Sequence, residues 1–322
     1  MAATPRSEEA GPNVRAVRTL CSISVGGLAA AVLSVAPSRA IDYQPFDWVP
    51  LPPGTQVAMG YYEFGLHNYF NSTITGTASH NSSLYSDLGI VRYLYYGQNM
   101  IFGNPWDVNI LVPFGSLTDG KIDGDRLGNA SGIGDPIVSA GYWLINRPQQ
   151  RQWFSAADYV TIPVGTYSRG RPLNIGGDRW VNQLQADWTQ GVVDKLTLDM
   201  SVDWTYYGDS DEAGTGRQKL TQTSTFETYA WLSYDVTDLV RTWLPTASNA
   251  FISVGYAGIF GGAQKIAGVN DGLKTREDQL RMTYMMFVSP TWQGLVSVSH
   301  DVNVSGGFKE GFGLTLRVAK LF

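Results

Sequence analysis

The stretch Phe312-Gly313-Leu314-Thr315-Leu316-Arg317-Val318-Ala319-Lys320-Leu321-Phe322 decides how the rest of the chain is read. Large apolar side chains fall at Phe312, Leu314, Leu316, Val318 and Phe322, and small or polar ones at Gly313, Thr315, Arg317 and Ala319. A period of two gives a strand one oily face and one polar face. In a soluble domain the final residues tend to fray in water, so an aromatic ending is unusual there. In an outer-membrane β-barrel it is expected, because the last strand closes against the first and an aromatic girdle marks the bilayer interface. On this reading Phe322 is also what the chain presents to the barrel-assembly machinery.

The front of the chain agrees with export. Residues 1–40 read as a signal peptide: Arg15 and Arg18 form a positive flank, an apolar stretch runs from Leu20 to about Ala36, and Ser38-Arg39-Ala40 precedes a cut. The stretch is short for a spanning helix. The single cysteine, Cys21, lies at its front, where a lipid anchor would need it behind, so no lipid anchor is expected; a cut after Ala40 would leave the mature chain with no cysteine and no disulfide framework. Four arginines and two glutamates leave with the signal, which takes the formal charge from −5 to −7. That sign argues against nucleic acid as a partner. Charged residues make up only 16% of the chain, against about 25% in typical soluble proteins. A surface that faces lipid accounts for the deficit. No later stretch approaches a run of about 20 apolar residues, so any crossing must use strands.

Candidate strands recur at 56–67, 84–96, 106–115, 136–145, 153–165, 180–192, 195–207, 223–235, 250–262, 279–289, 295–304 and 311–322. This predicts an all-β fold, a transmembrane antiparallel up-and-down barrel of about 12 strands. It occupies residues 56–322, behind a periplasmic N-terminal segment at 41–55, of which Ile41–Gly54, with Trp48 and its prolines, is left open to hang in the periplasm, lie along the inner wall or plug the lumen from below. Alternation is plain in several strands. Leu196, Leu198, Met200, Val202, Trp204 and Tyr206 oppose Thr197, Asp199, Ser201, Asp203 and Thr205, and Val296, Val298, Val302 and Val304 oppose Ser297, Ser299, Asp301 and Asn303. Connections after odd strands are long and polar, and those after even strands mostly short, as external loops and periplasmic turns are in such barrels. There are two exceptions: 236–249, which contains Leu239, Val240, Trp243 and Leu244 and reads as a small amphipathic turn or helix on the periplasmic side, and the last external loop, near Ser305–Glu310, which is short. Pro113 and Pro163 interrupt strand patterns, and since proline cannot donate to a ladder, bulges or strand ends are expected there.

Motifs for chemistry are weak. His67, His80 and His300 lack zinc spacing. His80 near Ser82 and Ser83 is the only local hint of a hydrolase, and loop serines explain it better. Asp119, Asp123 and Asp125, and Asp209, Asp211 and Glu212, miss the calcium-loop pattern. No metal, cofactor or enzymatic activity is expected. The inner face is more informative. Glu63, Asp107, Gln183, Gln185, Asp187, Asp199, Asp203, Glu227, Tyr229, Trp231, Arg281, Asp301 and Arg317 fall on the inward phase, because charges on the lipid face are costly. A lumen of mixed aromatic and polar lining suits passage of a small amphipathic molecule; the plain alternative is a plugged interior with its charges paired.

The order of several motifs resembles a known family. Asp47-Trp48-Val49-Pro50-Leu51-Pro52-Pro53-Gly54-Thr55 leads into Tyr61-Tyr62-Glu63; Gly132-Ile133-Gly134-Asp135-Pro136 precedes Tyr142-Trp143-Leu144; Pro163-Val164-Gly165-Thr166-Tyr167, Leu173-Asn174-Ile175-Gly176 and Gly307-Phe308-Lys309-Glu310-Gly311-Phe312 follow. Together they resemble the bacterial family named for the meta pathway of phenol degradation, across nearly the whole mature chain. The resemblance implies a transporter-like barrel embedded in outer-membrane lipid and linked to catabolism of aromatic compounds, with no catalytic residues to carry over. Passive uptake of small hydrophobic or aromatic solutes is therefore expected. The alternatives are a non-transporting structural or partner-binding barrel and, behind it, a membrane hydrolase. A barrel closed by the last strand should set Arg317 beside Glu63 across the seam.

Overall fold

Period-two patterning becomes a closed wall. The computed structural model describes residues 42–73 and 78–322, with the backbone of Leu33–Ser34; the signal peptide read at 1–40 otherwise lies outside the described residues. Among these, twelve long strands build the barrel. They are β1 Gln56–Asn71, β2 Ser83–Tyr96, β3 Trp106–Ile122, β4 Ile137–Arg147, β5 Gln152–Thr161, β6 Val181–Val193, β7 Leu196–Tyr207, β8 Thr225–Asp235, β9 Asn249–Gly261, β10 Thr275–Ser289, β11 Trp292–Ser305 and β12 Gly307–Leu321. Each pairs antiparallel with its neighbours in the chain, and β12 returns to β1 with Thr315 opposite Glu63. Closure satisfies every edge, which is what a sheet needs to stand in hydrocarbon. No described helix is long and apolar enough to cross a membrane.

The burial pattern is inverted relative to a soluble sheet. On β7, Asp199 and Asp203 are fully buried and Ser201 and Thr205 nearly so, whereas Val202 is 54% and Tyr206 56% exposed. Polar residues point in and apolar ones out along β6, β8 and β10 as well. Such a surface is stable only against lipid. The chain is a barrel of the bacterial outer membrane.

Four sequence expectations change in detail. β1 and β3 run past their expected ends to Asn71 and Ile122, and residues expected as loop form a further strand, Asp125–Ile133, hairpinned onto β3. β11 alternates as expected only as far as Asp301. Asp278 pairs with Asn303 but Gln279 with Asp301, so the unpaired Val302 makes a bulge and reverses the phase. Val304 is buried and Asn303 exposed as a result. Pro113 neither bulges nor ends its strand. There β3 changes partner, from β4 at Leu111 to the added strand at Phe114, and Gly134 N donates to the Pro113 carbonyl at 2.8 Å. A residue without an N–H suits that junction. Pro163, by contrast, lies just beyond the end of β5. The exceptional turn does hold a short helix, α1 Thr237–Arg241, whose Val240 packs with Ala247 and Ala250.

The seam also differs. Thr315 faces Glu63, but Arg317 faces Tyr61, two residues away. Arg317 turns to a partner that the strand pattern could not reveal.

Candidate functional site

That partner belongs to residues 42–49, which fill the middle of the lumen instead of lying in the periplasm as the sequence reading placed 41–55. Arg317 Nη1 donates to Asp47 Oδ1 at 2.6 Å, and Arg281 makes an ion pair with Asp42. Trp48 Nε1 donates to Gln185 Oε1 at 3.0 Å, and Trp143 Nε1 donates to the Trp48 carbonyl at 2.8 Å. Rings complete the seat: Phe46 lies 4.2 Å from Phe251, Trp48 5.4 Å from Trp143 and Tyr43 5.9 Å from Tyr229, between centroids. Gly141 on β4 makes room for Trp48, since a β-carbon there would stand 2.6 Å from its indole. Tyr43, Gln44 and Trp48 are buried.

The plug holds itself by side chains. Its backbone closes its own turn, Asp47 N to Gln44 O at 3.2 Å and Val49 N to Phe46 O at 3.1 Å, with Phe46 in the left-handed region at φ 64°. Among the described residues, the first backbone-to-backbone bond to a wall strand comes at Gly54, to the Tyr96 carbonyl. A cavity of about 240 Å³ lies on the outer side, bordered by Asp42, Glu63, His67, Gln279 and Arg281. A larger one of about 570 Å³ lies on the periplasmic side, bordered by Asp47, Leu51, Met59, Arg92, Phe251 and Met285. A further void of about 20 Å³, bordered by Tyr43, Trp48 and Tyr159, lies beside the plug itself.

Of the thirteen residues expected on the inner face, Glu63 and Arg281 are half-buried and the other eleven are buried. Glu63 is half-buried at the outer cavity. Asp203 accepts from Gln183 at 2.8 Å, from Gln185 at 3.1 Å and from Ser201 at 2.8 Å. Tyr229 donates to Glu227 at 2.9 Å, and Thr189 to Asp199 at 2.6 Å. Gln279 bridges Asp301 and Glu310 at 2.8 and 3.0 Å. Trp231 is buried opposite Gly255, where a β-carbon would strike its ring. Asp107 and Asp187 are buried, and Asp107 lies near Gly141 and Trp48. Arg281 and Arg317 hold the plug.

Arg92 on β2, Arg281 on β10 and Arg317 on β12 share one arc of the wall with Glu63 on β1, Asp107 on β3, Asp301 on β11 and Glu310 on β12, whereas the opposite arc carries Asp187 on β6, Asp199 and Asp203 on β7 and Glu227 on β8.

Strand reasoning missed Asp42, Tyr43, Asp47, Trp48 and Arg92. The first four lie outside any strand, though the two acid–aromatic pairs, Asp42-Tyr43 and Asp47-Trp48, were a readable signal. Arg92 sits among Val91, Tyr93, Leu94, Tyr95 and Tyr96, where both faces look apolar and the phase is hidden. The hydrolase hint finds no support: His80 stacks edge-on to Tyr69 at 5.0 Å, Ser83 Oγ donates to the Asp119 carbonyl at 2.8 Å, and Ser82 Oγ accepts from Asp123 N at 3.1 Å. No described group of three or more His, Cys, Asp or Glu could hold a metal ion.

Known proteins agree with the architecture. The family described as "Putative MetA-pathway of phenol degradation" matches residues 68–318. A solved outer membrane channel from Pseudomonas putida F1 superposes with a TM-score of 0.79 at 26% identity, covering 87% of this chain and 100% of that one. More distant likeness, of fold alone, extends to two autotransporter domains. The Bordetella BrkA β domain gives a TM-score of 0.51 at 8% identity, covering 84% of this chain and 100% of that one. The Neisseria meningitidis NalP translocator domain gives 0.50 at 13%, covering 88% and 91%. No functionally curated protein matches the chain.

Proposed function

The chain belongs to the MetA-pathway phenol degradation family, and we propose that it is a passive outer-membrane channel for small hydrophobic or aromatic compounds, closed by its own N-terminal segment. One observation carries the reading: a lumen lined by mixed polar and aromatic groups is occupied by residues 42–49, which are held by side-chain contacts and not by strand pairing. A segment held by two ion pairs, a few hydrogen bonds and ring contacts can leave without disturbing the wall. The channel relative in Pseudomonas putida F1 supports the same assignment. The two cavities flanking the plug give a solute a place to wait on either side. Nothing in this reading requires catalysis.

The competing reading, a barrel that binds a partner and passes nothing, draws on the filled lumen itself. Solute flux separates the two. Liposomes carrying the purified barrel should swell in phenol-sized aromatic solutes faster than protein-free liposomes. Absence of both flux and ion conductance, with the barrel intact, would leave only the partner-binding reading.

A further inference from the structure

The three lumen arginines are unequally served. Arg281 has Asp42 and Arg317 has Asp47, both carboxylates of the plug. Arg92 borders the periplasmic cavity within range of the charges of Asp47 and Asp107. Yet among the described residues it makes no ion pair within 4 Å, and its Nε is buried without a hydrogen-bond partner. Each of the other two lies over a tyrosine ring: Arg281 is 5.4 Å from the centroid of Tyr229 and Arg317 5.8 Å from that of Tyr61. Every carboxylate that the plug brings to this belt is followed at once by an aromatic residue, Tyr43 after Asp42 and Trp48 after Asp47, and both rings are buried in the lumen.

We propose that Arg92, Arg281 and Arg317 form a carboxylate-binding belt and that the solutes admitted here are small aromatic carboxylates, for which the two acid–aromatic pairs of the plug are built-in stand-ins. The inference rests on the channel reading given above. It follows from what must replace the plug when it leaves. A neutral aromatic compound would leave two buried guanidinium groups without their carboxylates, which is costly in a site shielded from water. A carboxylate takes over the charge-assisted hydrogen bonds of Asp42 or Asp47 while its ring takes over the apolar seat. The solute thus competes directly with the plug, and Arg92, which no described carboxylate holds within 4 Å, offers its guanidinium to a carboxylate in the periplasmic cavity.

Calorimetric titration of the detergent-purified, folded barrel tests this with three compounds sharing one ring: benzoate, benzyl alcohol and benzylamine. Benzoate should bind the native barrel most tightly. In an Asp42→Asn/Asp47→Asn double variant, which leaves two arginines with neutral acceptors in place of their carboxylates, benzoate should bind about tenfold more tightly, a change equal to 1.4 kcal/mol, and benzyl alcohol no better than before. Arg92→Gln should weaken benzoate binding to the native plug, and Arg92→Lys should restore part of it. Benzyl alcohol or benzylamine binding as tightly as benzoate, or a double variant with unchanged benzoate affinity, overturns the inference. Conductance of the same preparations reports on the channel reading independently: a conducting barrel indifferent to benzoate would refute the carboxylate assignment and leave the channel standing.

Discussion

Arg317 on β12 donates to Asp47 of the plug at 2.6 Å, although the residue directly across the seam from it is Tyr61 and the nearest wall carboxylate in sequence phase is Glu63. The closing strand of the barrel therefore does two jobs. Its backbone seals the wall, and its one inward guanidinium latches the segment that fills the lumen.

Removing the latch should loosen the plug. In Asp47→Asn the buried Arg317 keeps a neutral acceptor in place of a charged one. A hydrogen bond to a charged group contributes about 1.5–3 kcal/mol, so the open fraction should rise roughly ten- to a hundredfold. Single-channel recording reads this directly as open probability.

Gly141 should be as important as either ion pair, for a steric reason. A Gly141→Val side chain would occupy the space of the Trp48 indole, and the plug must give way because the wall is tied into ladders on both sides. With Tyr43→Cys as a reporter, a thiol reagent added from the periplasmic side should label the Gly141→Val barrel faster than the parent. Equal labelling would show that Trp48 is not seated where the structure puts it.

Loop docking at the outer rim should depend on pH. Asp135, outside the spanning strands, accepts from Gly165 N at 2.7 Å and Gly177 N at 2.6 Å and so ties the loop between β5 and β6 to the rim. Burial raises its pKa, against the pull of those two N–H groups. With the docked value above the undocked one, docking is strongest below the ordinary carboxylate range and weakens as pH rises through the raised value. Amide exchange in the loop, corrected for intrinsic rates, should be better protected at mildly acidic pH than at neutral pH. The reverse order would contradict the assignment.

Phe322 should matter for assembly and little for stability. Its ring is 70% exposed, while its backbone N–H donates to the Gln56 carbonyl at 2.9 Å and would still do so in Phe322→Ala. The unfolding midpoint of refolded protein should move by no more than about 0.5 kcal/mol equivalent, as for other exposed sites. The amount of folded barrel in cell envelopes should fall clearly. A loss of stability matching the loss of yield would remove any role for the ring as an assembly signal.

Strand number, order and the polar lumen were legible because a barrel writes each crossing as a local period of two, and β7 and β8 carry that pattern without interruption. Legibility failed where the period breaks or has no contrast. The bulge at Val302 reversed the phase without any sequence mark. On β2 the inward Ile90 and Leu94 are as apolar as the outward Val91 and Tyr93, because that part of the lumen wall joins the apolar core around Trp48 and Leu51, so Arg92 had no visible face. The place of the plug was left open for another reason. The segment has no secondary structure to predict, and its position depends on two arginines more than 230 residues away in the chain.

The central claim is that residues 42–49 close a channel that is otherwise open. It is tested most directly by the single-channel conductance of a barrel lacking residues 41–54, recorded in the same bilayer as the intact protein and with folding checked by resistance to denaturation. The account predicts a larger and steadier conductance in the shortened barrel. Equal conductance in the two, whether zero or not, would contradict it.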